Sequence, residues 1–161
     1  MFLGGILRET QLGLGDTINK CTPQELKLPN VELISSGGNT RIAITKDDNI
    51  WVWGLLNRCH TIIPQKIQYS EKINVKSISC GCHHIVILTE HNEMYGIGST
   101  SDGQLGFESN DSVCLPRKLI LGYVCSIACY DKSTFFLLKS AVGYQIYTWG
   151  VKADKLIHLI C

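Results

Sequence analysis

Three times along the chain a short β-favouring run closes on aromatic or apolar residues and a glycine. The runs are Ile50-Trp51-Val52-Trp53-Gly54, Met94-Tyr95-Gly96-Ile97-Gly98 and Ile146-Tyr147-Thr148-Trp149-Gly150, and their terminal glycines stand 44 and 52 residues apart. Spacing of that size marks a supersecondary unit that cannot bury its apolar face alone and has to stack on its neighbours. The period of two in a strand sets Trp51 with Trp53, Tyr95 with Ile97 and Tyr147 with Trp149, so one face of each unit is bulky.

Upstream of each run the pattern continues. Ile34-Ser35-Ser36-Gly37-Gly38 aligns with Ile78-Ser79-Cys80-Gly81-Cys82, and in both copies the first glycine falls 16 residues before the aromatic slot. Arg41 to Thr45 and Ile85 to Thr89 are strand-like, and each meets a polar turn before the aromatic run, which predicts a β-hairpin. The third copy is worn. Ser126-Ile127-Ala128-Cys129-Tyr130 stands where the glycine motif belongs, Thr134 to Leu138 supplies the next strand, and the connection Lys139 to Gln145 is expected to be three residues longer than the others.

A second landmark, Gln11-Leu12-Gly13-Leu14-Gly15-Asp16, recurs as Gln104-Leu105-Gly106-Phe107, each followed by a proline 12 residues on, Pro23 and Pro116. Its glycines suit turns with positive φ, and the prolines suit a loop or the start of an edge strand. The middle unit lacks the landmark, and its loop before Pro64 must be shorter. Each unit yields three or four short strands and no helical period, so the chain reads as all-β and blade-like.

With 45% hydrophobic and 18% charged residues, the 161-residue chain has a globular composition. Its net charge of +1 comes from scattered groups, so no basic stripe exists to hold nucleic acid. No apolar stretch reaches the roughly 20 residues of a membrane span. Of the eight cysteines, Cys80, Cys125 and Cys129 sit in strand-like runs, Cys21, Cys59 and Cys114 in expected loops, and Cys161 at the end. That scatter fits a reducing compartment, cytoplasmic and/or nuclear, and the lone sequon Asn110-Asp111-Ser112 does not outweigh it.

Taken together, Gln-Leu-Gly-Leu-Gly-Asp, the following proline, Cys80-Gly81-Cys82-His83-His84 with Leu88-Thr89, and the Tyr-x-x-Gly closure resemble the regulator of chromosome condensation repeat. The resemblance runs from Gly4-Gly5 to Gly150 and implies a single domain, 1–161, in units of about 5–54, 55–98 and 99–150 with a tail 151–161. The family fold is a seven-bladed β-propeller. About three antiparallel blades make only a partial one, so the chain is expected to be a fragment, a truncated product, or one that completes its ring with a partner. Open blade edges predict self-association.

The residues carried over as structural motif positions are Gln11, Leu12, Gly13, Gly37, Trp53, Gly54, Cys80, Gly81, His84, Gly98, Gln104, Leu105, Gly106, Trp149 and Gly150. The ligand-type residues Cys80, Cys82, His83 and His84 read as repeat motif and not as a metal site, because no second pair completes a tetrahedral set. Asp47 and Asp48 belong to a hairpin turn, and no phosphate loop or nucleophile elbow occurs. No cofactor, no metal and no classical catalysis are expected. The reading is a protein–protein interaction module. The resemblance adds an alternative, guanine-nucleotide exchange on a Ran-like small GTPase. His83 and His84 would then be the exchange-face candidates, with Thr40 and Ser133 at the equivalent places and the Lys139 to Gln145 connection as a short stand-in for the family's prying insertion.

Overall fold

The computed structural model describes residues 11–56, 59–69, 71–107 and 112–151; the Gly4-Gly5 pair, most of the sequon and the tail after Val151, Cys161 included, lie outside them. Eleven strands form three antiparallel sheets, and no helix occurs among the described residues. Sheet 1 holds β1 (Val31–Ser36), β2 (Thr40–Thr45), β3 (Ile50–Leu56) and β4 (Cys59–Lys66) in chain order. Sheet 2 repeats this with β5 (Val75–Cys80), β6 (His84–Thr89), β7 (Met94–Gly98) and β8 (Val113–Leu119). Sheet 3 has three strands, β9 (Tyr123–Tyr130), β10 (Ser133–Ser140) and β11 (Gly143–Gly150).

The sheets stack face to face, with the first strands β1, β5 and β9 adjoining one another. Alternate residues of one strand therefore serve two different interfaces. In β6, Ile85 and Ile87 join Ile42, Ile44, Ile50 and Val52 of sheet 1, while Val86 and Leu88 join Val124 and Phe136 of sheet 3. That is why β6 reads as a continuous apolar run instead of alternating with polar residues. Each fully buried side chain of this size contributes about 1.5–3 kcal/mol, so the two clusters hold the stack together.

The closing glycines follow from backbone geometry. Gly54, Gly98 and Gly150 have φ of +87°, +115° and +103°, and a Cβ on each would collide with the carbonyl oxygen of Asn39, His83 or Lys132. Those same carbonyls accept the N–H of the next residue: Leu55 at 2.7 Å, Ser99 at 2.9 Å and Val151 at 3.3 Å. Only glycine provides both the left-handed φ and the close approach.

Three expectations from the sequence are corrected. The third hairpin has no long connection: pairing continues from Ser133↔Gly150 to Ser140↔Gly143 across a two-residue turn, Ala141-Val142. The extra residues lengthen both strands, with Gly143 at φ +123° directly after the tight turn, so nothing projects there as an insertion. Cys59 and Cys114 lie in β4 and β8 and not in loops. Pro64 and Pro116 lie inside those edge strands and not at their first position, each beside a break in register where one amide hydrogen is dispensable. Pro23 lies outside any strand.

Candidate interaction rim

The two separate sequence landmarks meet in space. Gly13, at φ +73°, lies on the Trp53 indole so closely that a Cβ would come within 2.9 Å of it. Gly106, at φ +66°, lies on Trp149 in the same way, at 2.6 Å. Each Gln-Leu-Gly turn thus caps the aromatic slot of the sheet that follows it. The glutamine carbonyl is a hydrogen-bond acceptor both times: Trp53 Nε1 donates to Gln11 at 2.9 Å, and Thr134 Oγ1 donates to Gln104 at 2.7 Å. Gln11 Nε2 also donates to Asn39 Oδ1 at 3.0 Å. Leu105 is fully buried against Gly96, where any side chain would collide with it, whereas Leu12 is exposed.

The middle junction lacks both partners. Residue 97 is Ile where the other slots hold Trp, no Gln-Leu-Gly turn precedes it, and Leu56 packs with Ile97 and against the backbone of Gly98. Loss of the turn and loss of the indole are one event in the structure, and the matching absences were the signal in the sequence.

Equivalent positions Thr40, His84 and Ser133 each pair with a closing glycine. His84 is 0% exposed and its Nε2 lies 2.9 Å from Thr134 Oγ1 across the junction of sheets 2 and 3. Since the Thr134 hydroxyl gives its proton to the Gln104 carbonyl, it accepts from His84, which fixes the ring proton on Nε2. The bare Nδ1 has no hydrogen-bond partner and lies against Gly81. Burial pushes the His84 pKa down to about 4, so the ring is neutral. Thr40 does the corresponding work between sheets 1 and 2, donating to the Leu55 carbonyl at 2.7 Å and reaching the Cys82 carbonyl at 3.2 Å.

At the inner ends of the sheets, a Cβ on Gly37 would collide with the Gly81 carbonyl, and one on Gly81 with the His84 ring and the Asp131 carbonyl. These glycines allow the next sheet to approach. Tyr130, paired with Ser133, fills the same position in sheet 3 and is exposed, and no described sheet follows it. Cys82 N–H donates to the Asp131 carbonyl at 2.7 Å, and Cys82 Sγ to Asp131 Oδ1 at 3.3 Å. Lys132 pairs with Asp102 at 3.1 Å, tying the long β7–β8 loop to sheet 3.

Cys80, Cys82, His83 and His84 do not converge on one point as ligands would, and no group of three or more His, Cys, Asp or Glu is placed to hold a metal among the described residues. Burial pushes the Cys80 thiol up to about 12 and the Cys129 thiol up to about 11, which keeps both protonated and unreactive. Of the two histidine candidates, His84 has no surface to offer a docked protein, while His83 is partly exposed on the rim. Thr134, Asp102 and Lys132 are the rim residues that reading the sequence alone did not single out. The spacing of Gln104 from Thr134 carries no local signal.

Three stacked antiparallel sheets joined in this way are successive blades of a β-propeller. Residues 75–104 match the regulator of chromosome condensation (RCC1) repeat. The Ultraviolet-B receptor UVR8 of Arabidopsis thaliana is 25% identical over 154 residues, covering 87% of this chain and 34% of the receptor. Yeast RCC1 (Prp20) in its crystal structure with Kap60 bound superposes with a TM-score of 0.75 at 22% identity, over 88% of this chain and 38% of that one. A second structure, of Prp20p from Saccharomyces cerevisiae, described with its binding properties to Gsp1p and histones, gives 0.70 at 21% identity, over 87% and 39%. The chain thus carries a regulator of chromosome condensation repeat at residues 75–104, is similar to proteins built of such repeats, and spans little more than a third of the length of these relatives.

Proposed function

We propose that the chain is a regulatory protein–protein interaction module whose binding surface is the rim carrying the Gln-Leu-Gly turns. One observation carries this reading: the long loop between β7 and β8 is held by buried bonds, Thr134 to Gln104 and Leu105 against Gly96, together with the Asp102–Lys132 pair. Residues 102–105 of this loop, anchored at both ends of their turn, present a fixed shape, which is what recognition of a protein surface needs. Gly103 stands at the tip with φ +73° and nothing within 4 Å of a Cβ, so Gly103→Asn changes the surface without a collision, at the small backbone cost that asparagine has in the left-handed region. Quantitative affinity purification with wild type and this variant should show one set of proteins captured by the first and lost by the second. Identical capture by both would remove the rim from the interface.

The alternative is guanine-nucleotide exchange on a Ran-like small GTPase, favoured by the structural likeness to yeast Prp20. His83 is the candidate that reaches the surface. Release of labelled GDP from candidate GTPases decides it; no acceleration at micromolar protein ends this reading for the chain. Either way we place the protein in a reducing compartment, cytoplasmic and/or nuclear, with a protein and not a nucleic acid as partner.

A further inference from the structure

The end of the stack opposite the Gln-Leu-Gly rim is polar in two copies of the repeat and apolar in the third. Pro23, Pro64 and Pro116 are each followed three residues on by an apolar residue, and the next position holds Lys27, Gln68 or Ile120. Asn30, Asn74 and Tyr123 are matched in the same way, each standing just before the valine that pairs Val31↔Thr45, Val75↔Thr89 or Val124↔Leu138. The hairpin turns at this end hold Lys46-Asp47-Asp48, Glu90-His91-Asn92 and, in the third copy, Ala141-Val142. Exposure here belongs to the repeat and not to one sheet's place in the stack, since Lys27, Gln68, Asn30, Asn74, Asp47 and His91 are all exposed as well. What changes is the chemistry: Ile120 is 98% exposed, Val142 86% and Tyr123 53%.

No loop is inserted in the third hairpin, but its longer strands carry the turn itself outward. Beyond Leu138↔Gln145, the place where the other two hairpins turn, β10 and β11 add Lys139↔Tyr144 and Ser140↔Gly143, about 7 Å of extra strand. Tyr123, Lys139 and Tyr144 form one paired row across the sheet, set back from the tip. The charge at this end also differs. Residues 113–150 hold Arg117, Lys118, Lys132 and Lys139 against one acid, Asp131, which lies at the other rim against Cys82. The neighbouring turn, joined by Val124 N–H on the Asn92 carbonyl, brings Glu90 and Glu93, and Glu93 is already paired with Lys118 at 2.6 Å.

We propose that this end of the third blade docks on an anionic lipid surface, with Ile120 and Val142 entering the acyl boundary, the Tyr123 and Tyr144 rings at headgroup depth and Lys139 on a lipid phosphate. Projecting tips suit this partner. A protein would need a separate pocket for each protruding side chain, whereas a fluid interface closes around all of them. Tyrosine and lysine set back from aliphatic tips meet the polar layer that covers the acyl chains. Two aliphatic side chains give only weak and reversible attachment, to which the lysine charge adds. The Gln-Leu-Gly rim lies at the opposite ends of the same strands and stays free for a protein.

The test is co-sedimentation of the full chain with vesicles of phosphatidylcholine alone and of phosphatidylcholine with phosphatidylserine, circular dichroism confirming that every variant is folded. Wild type is expected to bind the mixed vesicles. Ile120→Gln and Val142→Asp, which install residues that the other copies use at this end, should each lower the partition coefficient about tenfold. Lys139→Gln should lose about fivefold on the mixed vesicles and nothing on phosphatidylcholine alone. Leu115→Gln, at an exposed position in the middle of β8, and Gly103→Asn on the opposite rim should bind as wild type does. A wild type that stays off the mixed vesicles, tip variants that bind undiminished, an equal loss from Leu115→Gln, or a Lys139→Gln loss that does not depend on phosphatidylserine would each overturn the proposal.

Discussion

The two junctions inside the stack are built on different principles. Between blades 1 and 2 the contact is mainly apolar, Ile42, Ile44, Ile50 and Val52 against Ile85, Ile87, Tyr95 and Ile97, with Leu56 filling the place of a capping turn and the Thr40 hydroxyl reaching the Cys82 carbonyl as a polar link. Between blades 2 and 3 a smaller apolar cluster is supplemented by the His84–Thr134–Gln104 chain and by Gly106 stacked on Trp149. Apolar contact tolerates changes of shape, whereas a directed chain of buried hydrogen bonds fixes one geometry. The second junction therefore holds its rim loop in place, and the first has no such loop to hold.

If both junctions are closed in solution, opposite-facing residues of the same strand should cost alike. Ile87→Ala opens the first junction and Leu88→Ala the second, and each is expected to lower stability by about 2–5 kcal/mol in urea unfolding. A cost near zero for one of them would show that junction to be open. Acid should then separate the two. The folded-state pKa of His84, about 4, lies below its unfolded value near 6.5, so its contribution is fully present above about pH 6.5 and is lost as pH falls toward 4. The loss amounts to about 3 kcal/mol. His84→Thr, the residue used at the equivalent place in blade 1, should flatten that part of the profile, and an unchanged profile would assign the acid sensitivity to another group.

Much of this fold was legible because its strongest constraints are local. A closing glycine with φ near +100° and a carbonyl against its Cα is demanded by the backbone of one hairpin, so Gly54, Gly98 and Gly150 stand out in the sequence. The worn third copy was harder. Counting from its glycine assigned the extra residues to a loop, because a count cannot tell a longer loop from longer strands; the unbroken pairing from Ser133↔Gly150 to Ser140↔Gly143 shows strands. The missing glycine at Tyr130 looked like decay, and the structure shows what glycine does at that position in the other copies, where Gly37 and Gly81 let the next sheet close. The candidate site was legible as separate motifs and not as a network. Gln104 and Thr134, or His84 and Thr134, are joined only through the stacking of sheets.

The capping turn gives the next contrast. Gly106→Ala adds a Cβ to a left-handed position and drives it into Trp149, while Gly103→Ala meets the backbone penalty alone. Expected costs are about 2–4 and about 1–2 kcal/mol, and the difference measures how firmly the turn is packed on the indole. Equal costs would mean that the Gly106–Trp149 contact yields freely.

The smallest effect is expected from the rim ion pair. Lys132 and Asp102 meet at 3.1 Å, but their side chains are 44% and 25% exposed, and solvent screens a pair of that kind. Lys132→Met should cost no more than about 1 kcal/mol, less still in high salt. Its value lies in what it does not do. The backbone carbonyl of Lys132 receives Val151 N–H and lies under Gly150, and neither contact involves the side chain. The hairpin should therefore stay closed while the outer anchor of the β7–β8 loop is released. If amide exchange rises in residues 99–104 but not in β10 or β11, the ion pair holds only the loop. Faster exchange across both strands would show instead that the rim anchor and the third blade open as one unit.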